Sequence, residues 1–395
     1  MLEKFFPFLL PKERFLVVEI LSQFVRISFL KVNFDKKILE VGKVIFKEYQ
    51  LANQNSPLEL VKKLLRNFGK LSRYKIILSL DPALATTIYS TVVLLRDKPK
   101  EPIDDSDLDN RIAQGIWRLF DRERSHAALK MKVKDLDVLL TDVKVKKIKL
   151  DGHKVVNPIG FKAKTLEIQF SQTFNPRSFV VEIKKIIPAE QVMLMAEAGT
   201  LEADILTKAS GLSNFLLLDL MSDRTHIFLS DGGTIAYLNT CVWGHEHLIG
   251  SLADFFSVSP PVAEKIFKLY LIQRASPAVL KKIEKLLVLE FEQLINFLAK
   301  PLAKYDCSCI YLMPFSDLPE FVYSYNLRSS LRSKTKFLPA NLTFISEHLG
   351  FHIKCKPTLA PSIFPTLAGL LGFYFSPHDD KMNRIARRHA RWLIS

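Results

Sequence analysis

The stretches Phe15-Leu-Val-Val-Glu-Ile-Leu-Ser-Gln-Phe-Val-Arg-Ile-Ser-Phe-Leu-Lys-Val32 and Phe215-Leu-Leu-Leu-Asp-Leu-Met-Ser-Asp-Arg-Thr-His-Ile-Phe-Leu229 are one unit written twice. In each, β-branched and aromatic residues form two strand-like runs around a short polar turn, and a third run follows, at Ile38 to Tyr49 and at Thr234 to Leu238. Such runs with tight connections predict an antiparallel meander. Helical spacing comes next, from Pro57 to Phe68 and around His247 to Phe256, and then a strand returns, at Tyr74 to Leu80 and Cys309 to Met313. Two copies make a duplicated domain, not a solenoid. The first strand of each copy ends in an acid, Glu19 or Asp219, and neither turn holds a glycine.

Between the copies the character changes. The acidic, Pro-containing Lys98 to Asp107 opens a helix at Leu108 to Phe120, then strand-like runs at Leu136 to Leu150 and Thr165 to Phe174, joined through Asp151-Gly152 and Asn157-Pro-Ile-Gly160. This predicts a small inserted α+β module. Pro261 to Tyr305 is helical and Lys-rich, a helical subdomain of the second half. The expected division is a first half at 1–95, an insertion at 96–187, a return helix at 188–214, a second half at 215–260, the helical subdomain at 261–304, the rest of the second half at 305–376, and a basic tail at 377–395.

Length and composition agree with an ordered chain of several structural units, since 395 residues exceed one comfortable core and 48% are hydrophobic. The net charge of +15 draws an anionic partner. Its densest part, Lys381 to Ser395, carries five cations and no carboxylate. Four cysteines form no disulfide framework, the apolar start Phe5 to Leu10 is broken by Pro7 and lacks a cleavage site, and no apolar run spans a bilayer. The expectation is a cytoplasmic protein, at most attached to a membrane surface.

A hairpin binds phosphate when its turn presents backbone N–H groups in a concave nest, which usually needs glycine, and a carboxylate at the strand end then positions hydrated magnesium. The chain to about residue 376 resembles the actin-like ATPase superfamily, and within it the FtsA and PilM group. Val18 to Arg26 stands where that family has an Asp-Ile-Gly hairpin, and Asp219 to Thr225 where it has Asp-Ile-Gly-Gly-Gly-Thr. Asp151 to Gly160 is similar to a turn of the SHS2-type inserted domain of FtsA. Gly244 and Ala263-Glu-Lys-Ile-Phe-Lys268 match the segment after the second hairpin, with Glu264 and either Lys268 or Lys265 on the nucleoside side.

The resemblance implies an α/β, actin-like (ribonuclease H-like) fold of two duplicated halves, and a degenerate nucleotide site at Glu19, Ser22, Gln23, Asp219, Ser222, Arg224, Thr225, Gly244, Glu264 and Lys268. At the turns Leu21, Met221, Ser222 and Asp223 replace glycines, and Pro314-Phe-Ser-Asp317 replaces the family's adenine-side Gly-Gly. The expectation is weak or absent ATP hydrolysis, with no cofactor required and ATP with magnesium at Asp219 as the ligand if binding is retained.

The tail, drawn as a helix, puts Met382, Ile385, Trp392 and Leu393 on one side and Arg387, Arg388 and Arg391 on the other, matching the membrane-targeting helix that ends FtsA. A solvated tail and a helix docked on the body are the alternatives. Lys281, Lys282 and Lys285 form a basic patch where FtsA-like proteins receive the FtsZ tail, or simply a solvated helix face. His245 with His247, and His348 with His352 and Cys355, lack a full metal-ligand set. No nucleic-acid module is visible. The reading is an FtsA-like division scaffold linking a partner such as FtsZ to the inner face of the membrane. A PilM-like pilus assembly protein binding a peptide of a membrane protein beside the inserted domain, and an ATPase with atypical turns, remain alternatives; self-association is not readable from one sequence.

Overall fold

The computed structural model describes residues 13–49, 56–325, 335–356, 363–376 and 381–391. In chain order the elements of the first half are β1 (Glu13–Ile20), β2 (Phe24–Asn33), β3 (Ile38–Glu48), α1 (Pro57–Leu65) and β4 (Lys75–Leu80). An inserted module follows with β5 (Thr86–Leu95), α2 (Asp105–Met131), β6 (Val138–Leu150), β7 (His153–Val155) and β8 (Thr165–Pro176). The chain returns through α3 (Arg177–Ile186), β9 (Val192–Glu197) and α4 (Ala198–Ser210). The second half has β10 (Phe215–Leu220), β11 (Thr225–Asp231), β12 (Thr234–Cys241), α5 (His245–Phe256), α6 (Pro260–Leu271), α7 (Pro277–Lys304), β13 (Cys309–Pro314), α8 (Phe321–Ser324), β14 (Lys336–Pro339) and α9 (Leu342–Leu349). Helices α10 (Phe364–Tyr374) and α11 (Lys381–Arg391) complete the chain.

Two compact units result, Met1–Leu201 with Thr366–Ser395, and Glu202–Pro365. In the first, β1 pairs antiparallel with β2 and β2 with β3, while β4 lies parallel to β1 and β9 parallel to β4. The second repeats the order as β12-β11-β10-β13-β14, again a meander with two added parallel strands. The central strands β1 and β10 are paired on both edges, and their near-continuous apolar runs are buried on both faces, as in a sheet covered from each side. In the first unit Leu16, Val18 and Ile20 pack with Val61 of α1 and Phe179 and Ile183 of α3. On the opposite face Gly369 of α10 lies close enough to Val17 and Ile77 that a Cβ there would already touch them.

The inserted sheet, ordered β5-β8-β6-β7, is backed by α2, whose Leu108, Ile112, Ile116 and Leu119 enter its core. It starts earlier than the boundary at residue 96, because Thr86–Leu95 pairs along its whole length with β8. It also ends earlier than residue 187, because α3 buries Phe179 and Val180 in the core of the first half. The segment 188–214, expected as a return helix, contains a strand as well, β9, whose backbone completes the sheet edge at β4.

Helix α11 does not stand free. Ile385, Ala386 and Ala390 are buried in the core of the inserted module, with Met382 packed against it, and the Asn383 carboxamide oxygen accepts the Val145 N–H at 2.8 Å. Lys381 pairs with Asp105, and Arg388 with Asp109, to which His389 also reaches at 3.2 Å. The tail residues expected to face lipid, Met382 and Ile385, are therefore covered by protein, and Arg388 is held by an α2 carboxylate. Arg387 is half-buried beside them. Trp392 and Leu393, and the side chain of Arg391, lie outside the described residues.

Candidate functional site

The two hairpins share one geometry. Leu21 N–H donates to the Phe24 carbonyl at 3.0 Å and Met221 N–H to the Arg224 carbonyl at 2.8 Å, so each closes on a two-residue turn, Ser22-Gln23 or Ser222-Asp223. Among the described residues, the non-glycine positions with positive φ lie elsewhere. Without a left-handed residue these turns need no glycine.

In the first hairpin the register sets Glu19 directly opposite Arg26. Arg26 Nε donates to Glu19 Oε2 at 2.6 Å and Nη2 to Oε1 at 2.5 Å, and the Thr366 hydroxyl donates to Oε2 as well. Glu19 is fully buried and Arg26 nearly so. A carboxylate engaged by a bidentate guanidinium in a dry site has its charge compensated already. The turn is occupied too: Ser22 N–H donates to Asp81 Oδ2 at 3.0 Å, and Tyr49 covers it by donating its N–H to the Gln23 carbonyl at 2.9 Å and its hydroxyl to the Leu21 carbonyl at 2.5 Å. Asp81, which follows β4, thus sets a carboxylate of the chain itself on the amide of this turn.

The second hairpin is seated on the N-terminus of α5. His245 N–H donates to the Met221 carbonyl at 3.1 Å and Glu246 N–H to the Ser222 carbonyl at 2.7 Å, while Ser222 Oγ donates to Glu246 Oε1 at 2.7 Å. Gly244 is required here: a Cβ would stand 2.6 Å from the Met221 and Ser222 carbonyl oxygens. Asp223 takes Arg224 as a bidentate partner, both contacts at 2.7 Å, and this hydrogen bonding holds its carboxyl below the usual carboxylate range. Thr225 donates to the Trp243 carbonyl at 2.7 Å. Asp219 is buried and faces His226 in the register, the same place that Arg26 has against Glu19.

Glu264 and Lys268 meet at 3.2 Å, and Glu264 also binds His245 Nε2 at 2.9 Å, whose Nδ1 meets Ser316 Oγ at 2.7 Å. Burial pushes the Glu264 carboxyl up, but His245 and Lys268 together outweigh it and leave it lowered. Ser316, in the turn replacing the Gly-Gly element, is thus tied through His245 to the expected nucleoside-side pair. Among the described residues no group of three or more His, Cys, Asp or Glu is arranged to hold a metal.

The structure therefore assembles Glu19, Ser22 and Gln23 in one unit, and Asp219, Ser222, Arg224, Thr225, Gly244, Glu264 and Lys268 in the other. Several of these groups are already bonded within the chain: Glu19 to Arg26, the Ser22 amide to Asp81, and the Ser222 carbonyl and hydroxyl to Glu246. The residues that close the turns, Arg26, Asp81 and His245, were not among the candidates. Arg26 was findable, since a two-residue turn after Leu21 places it opposite Glu19. Lys281, Lys282 and Lys285 lie exposed on α7, as a solvated face would.

No protein-family model matches the chain, and neither does any curated protein. Among solved structures, the PilM–PilN type IV pilus biogenesis complex aligns over 92% of this chain and 99% of that one, at 11% identity and a TM-score of 0.50. The chain has the actin-like ATPase fold. Two further structures align with lower TM-scores: the ethanolamine utilization protein EutJ from Carboxydothermus hydrogenoformans, at 11% identity over 92% of this chain and 90% of that one (TM-score 0.39), and a diol dehydratase-reactivating factor in nucleotide-free form, at 8% over 92% and 100% (TM-score 0.43). Within this fold the duplicated hairpins are the elements that carry Glu19 and Asp219.

Beside the inserted module the first unit has a groove of about 480 Å³, walled by Val143 of β6, Ile183 of α3, Leu194 of β9, Phe373 of α10 and Ala390 of α11. Its surface is mostly apolar, with Asp142, Lys184 and Arg387 as its charged members.

Proposed function

We propose that the chain is a PilM-like adaptor, an actin-like scaffold that holds a short peptide of a membrane-protein partner in the groove beside its inserted module, without turning over nucleotide. The observation that carries this is the groove itself, with apolar walls from five helices and strands of the first unit and a few charges that would fix the direction of an extended segment. The likeness to the PilM–PilN complex supports it, and the internally satisfied hairpins account for the nucleotide part. Among the described residues no helix is long and apolar enough to cross a membrane.

The FtsA-like reading, with an FtsZ-like tail on one side and lipid on the other, rested on Asn157-Pro-Ile-Gly160 and on the basic tail, in which the apolar side of α11 was to face lipid. That side packs on the inserted module, which leaves the adaptor reading in front. Fluorescence polarisation with labelled peptides from the cytoplasmic ends of membrane proteins of the source cell tests it. Micromolar binding by one sequence class, lost in Leu194→Asp and unchanged by ATP with magnesium, is expected. Binding that survives Leu194→Asp, or no binder in the whole set, overturns it.

A further inference from the structure

The turn after β13 carries a serine with a base and an acid of the same unit aligned behind it. Ser316 Oγ lies 2.7 Å from His245 Nδ1, and His245 Nε2 lies 2.9 Å from Glu264 Oε2. Lys268 meets the other carboxylate oxygen at 3.2 Å. Hydroxyl, imidazole and carboxylate in unbroken contact are the parts of an activated nucleophile, which is recognised by geometry and role rather than by order in the chain. The direction of these bonds follows from chemistry. Burial pushes the Glu264 carboxyl up, but His245 and Lys268 leave it lowered, so at neutral pH it is ionised and can only accept. His245 Nε2 therefore carries a hydrogen, the neutral ring keeps its lone pair on Nδ1, and the Ser316 hydroxyl donates to it. That is the polarity a general base needs.

Two further observations set this apart from bonds that only tie down a turn. The backbone N–H groups of Ser316 and Asp317 make no hydrogen bond among the described residues, so donors for an oxyanion stand on the nucleophile's own residue and the next. A cavity of about 800 Å³ adjoins them, bordered by Pro314, Asp317 and Leu318 of the same turn. Ser316 is half-buried, within reach of a ligand, while the His245 side chain is only 12% exposed. The rings of Phe267 and Phe315 lie beside that of His245, with centroids 5.4 Å and 6.5 Å away. Aromatic neighbours favour an apolar acyl group, and the exposed Asp317 disfavours an anionic one.

We propose that Ser316, His245 and Glu264 form a hydrolytic site for small, uncharged carboxylic esters with an apolar acyl group. Ser316 Oγ adds to the ester carbonyl carbon as its proton passes to His245 Nδ1, and Glu264 stabilises the imidazolium through Nε2–H. The bond to the alcohol oxygen then breaks, and the alcohol leaves with the proton returned from Nδ1. Water adds to the acyl carbon, gives a proton to Nδ1, and the carboxylic acid departs as Ser316 regains its hydrogen. The site is separate from the groove of the first unit and stands or falls without it.

Reaction of the full chain with an alkyl fluorophosphonate, read by intact mass and peptide mapping, tests the assignment, together with hydrolysis of p-nitrophenyl butyrate. A single adduct on Ser316 and a burst of p-nitrophenol are expected. The mapping needs no variant, so it decides even where a substitution unfolds the turn. Ser316→Ala and His245→Gln should each slow hydrolysis about a hundredfold or more. Glu264 acts through His245 as a positioning residue: Glu264→Gln should lower kcat with KM little changed, and Glu264→Asp should recover part of the loss. The parent's rate should rise with pH to a plateau as the His245 ring loses its proton. No adduct, an adduct on another serine, or hydrolysis that survives Ser316→Ala overturns the proposal.

Discussion

Glu19 is the residue whose meaning changed most between pattern and structure. Its place at the end of a buried strand was legible, as was the absence of glycine after it. Its partner was not, because alternating apolar residues announce a strand without stating what faces each polar position. Once Arg26 is set opposite, the carboxylate becomes half of a buried, bidentate pair. Removing one member of such a pair strands the other charge, so Glu19→Gln should cost about 3–5 kcal/mol, whereas Glu19→Met with Arg26→Leu should cost far less. Urea unfolding of both variants decides it; equal losses would show that the pair is not what holds the hairpin. Gly244→Ala is the matching test in the second hairpin. Its Cβ meets backbone oxygens that cannot swing away, and a loss of about 1–3 kcal/mol is expected by the same measurement. Glu264 adds a pH signature. Its folded-state carboxyl is lowered, so its contribution is complete above its unfolded value, near 4.5, and fades as pH falls through the lower folded value. Glu264→Gln should flatten that acid limb of the stability curve, and an unchanged limb would remove the role given to His245.

At the scale of elements, α11 shows what periodicity can and cannot say. Its apolar and basic sides were readable from spacing alone, because residues three and four apart share a face. What covers the apolar side was not readable, since lipid and protein select the same amphipathic pattern. The outcome was decided by residues far away in sequence: the carboxylates Asp105 and Asp109 of α2 and the open backbone of Val145. Ala386 is fully buried in that contact, so Ala386→Glu should undock the helix. Hydrogen exchange should then rise across Lys381–Arg391 and along the facing part of β6, while the hairpins stay protected; protection retained in α11 would contradict the docking. The short strand β9 was missed for a related reason. Val192–Glu197 carries a mixed pattern, and its strand character comes from the free edge that β4 offers rather than from its own side chains.

At the scale of the whole molecule the duplication was the most legible feature, because two meanders followed by parallel strands leave their mark in every apolar run. The same repetition makes the divergence of the two turns informative. Neither holds a glycine, and each involves an acid of the chain itself: Asp81 on the Ser22 amide, and Asp223, within the other turn, bound to Arg224. A fold that keeps the frame while filling both turns should respond little to nucleotide. A ligand that binds only the folded chain at one hundred times its dissociation constant stabilises it by about 2.7 kcal/mol, enough for a clear rise in melting temperature. Millimolar ATP with magnesium is therefore expected to leave the melting temperature unchanged, as is ADP, and Asp81→Asn should not confer a response, since Arg26 still neutralises Glu19. A nucleotide-dependent rise that disappears in Asp219→Ala would mean that the turns open in solution, and would return the chain to the nucleotide-driven members of its fold.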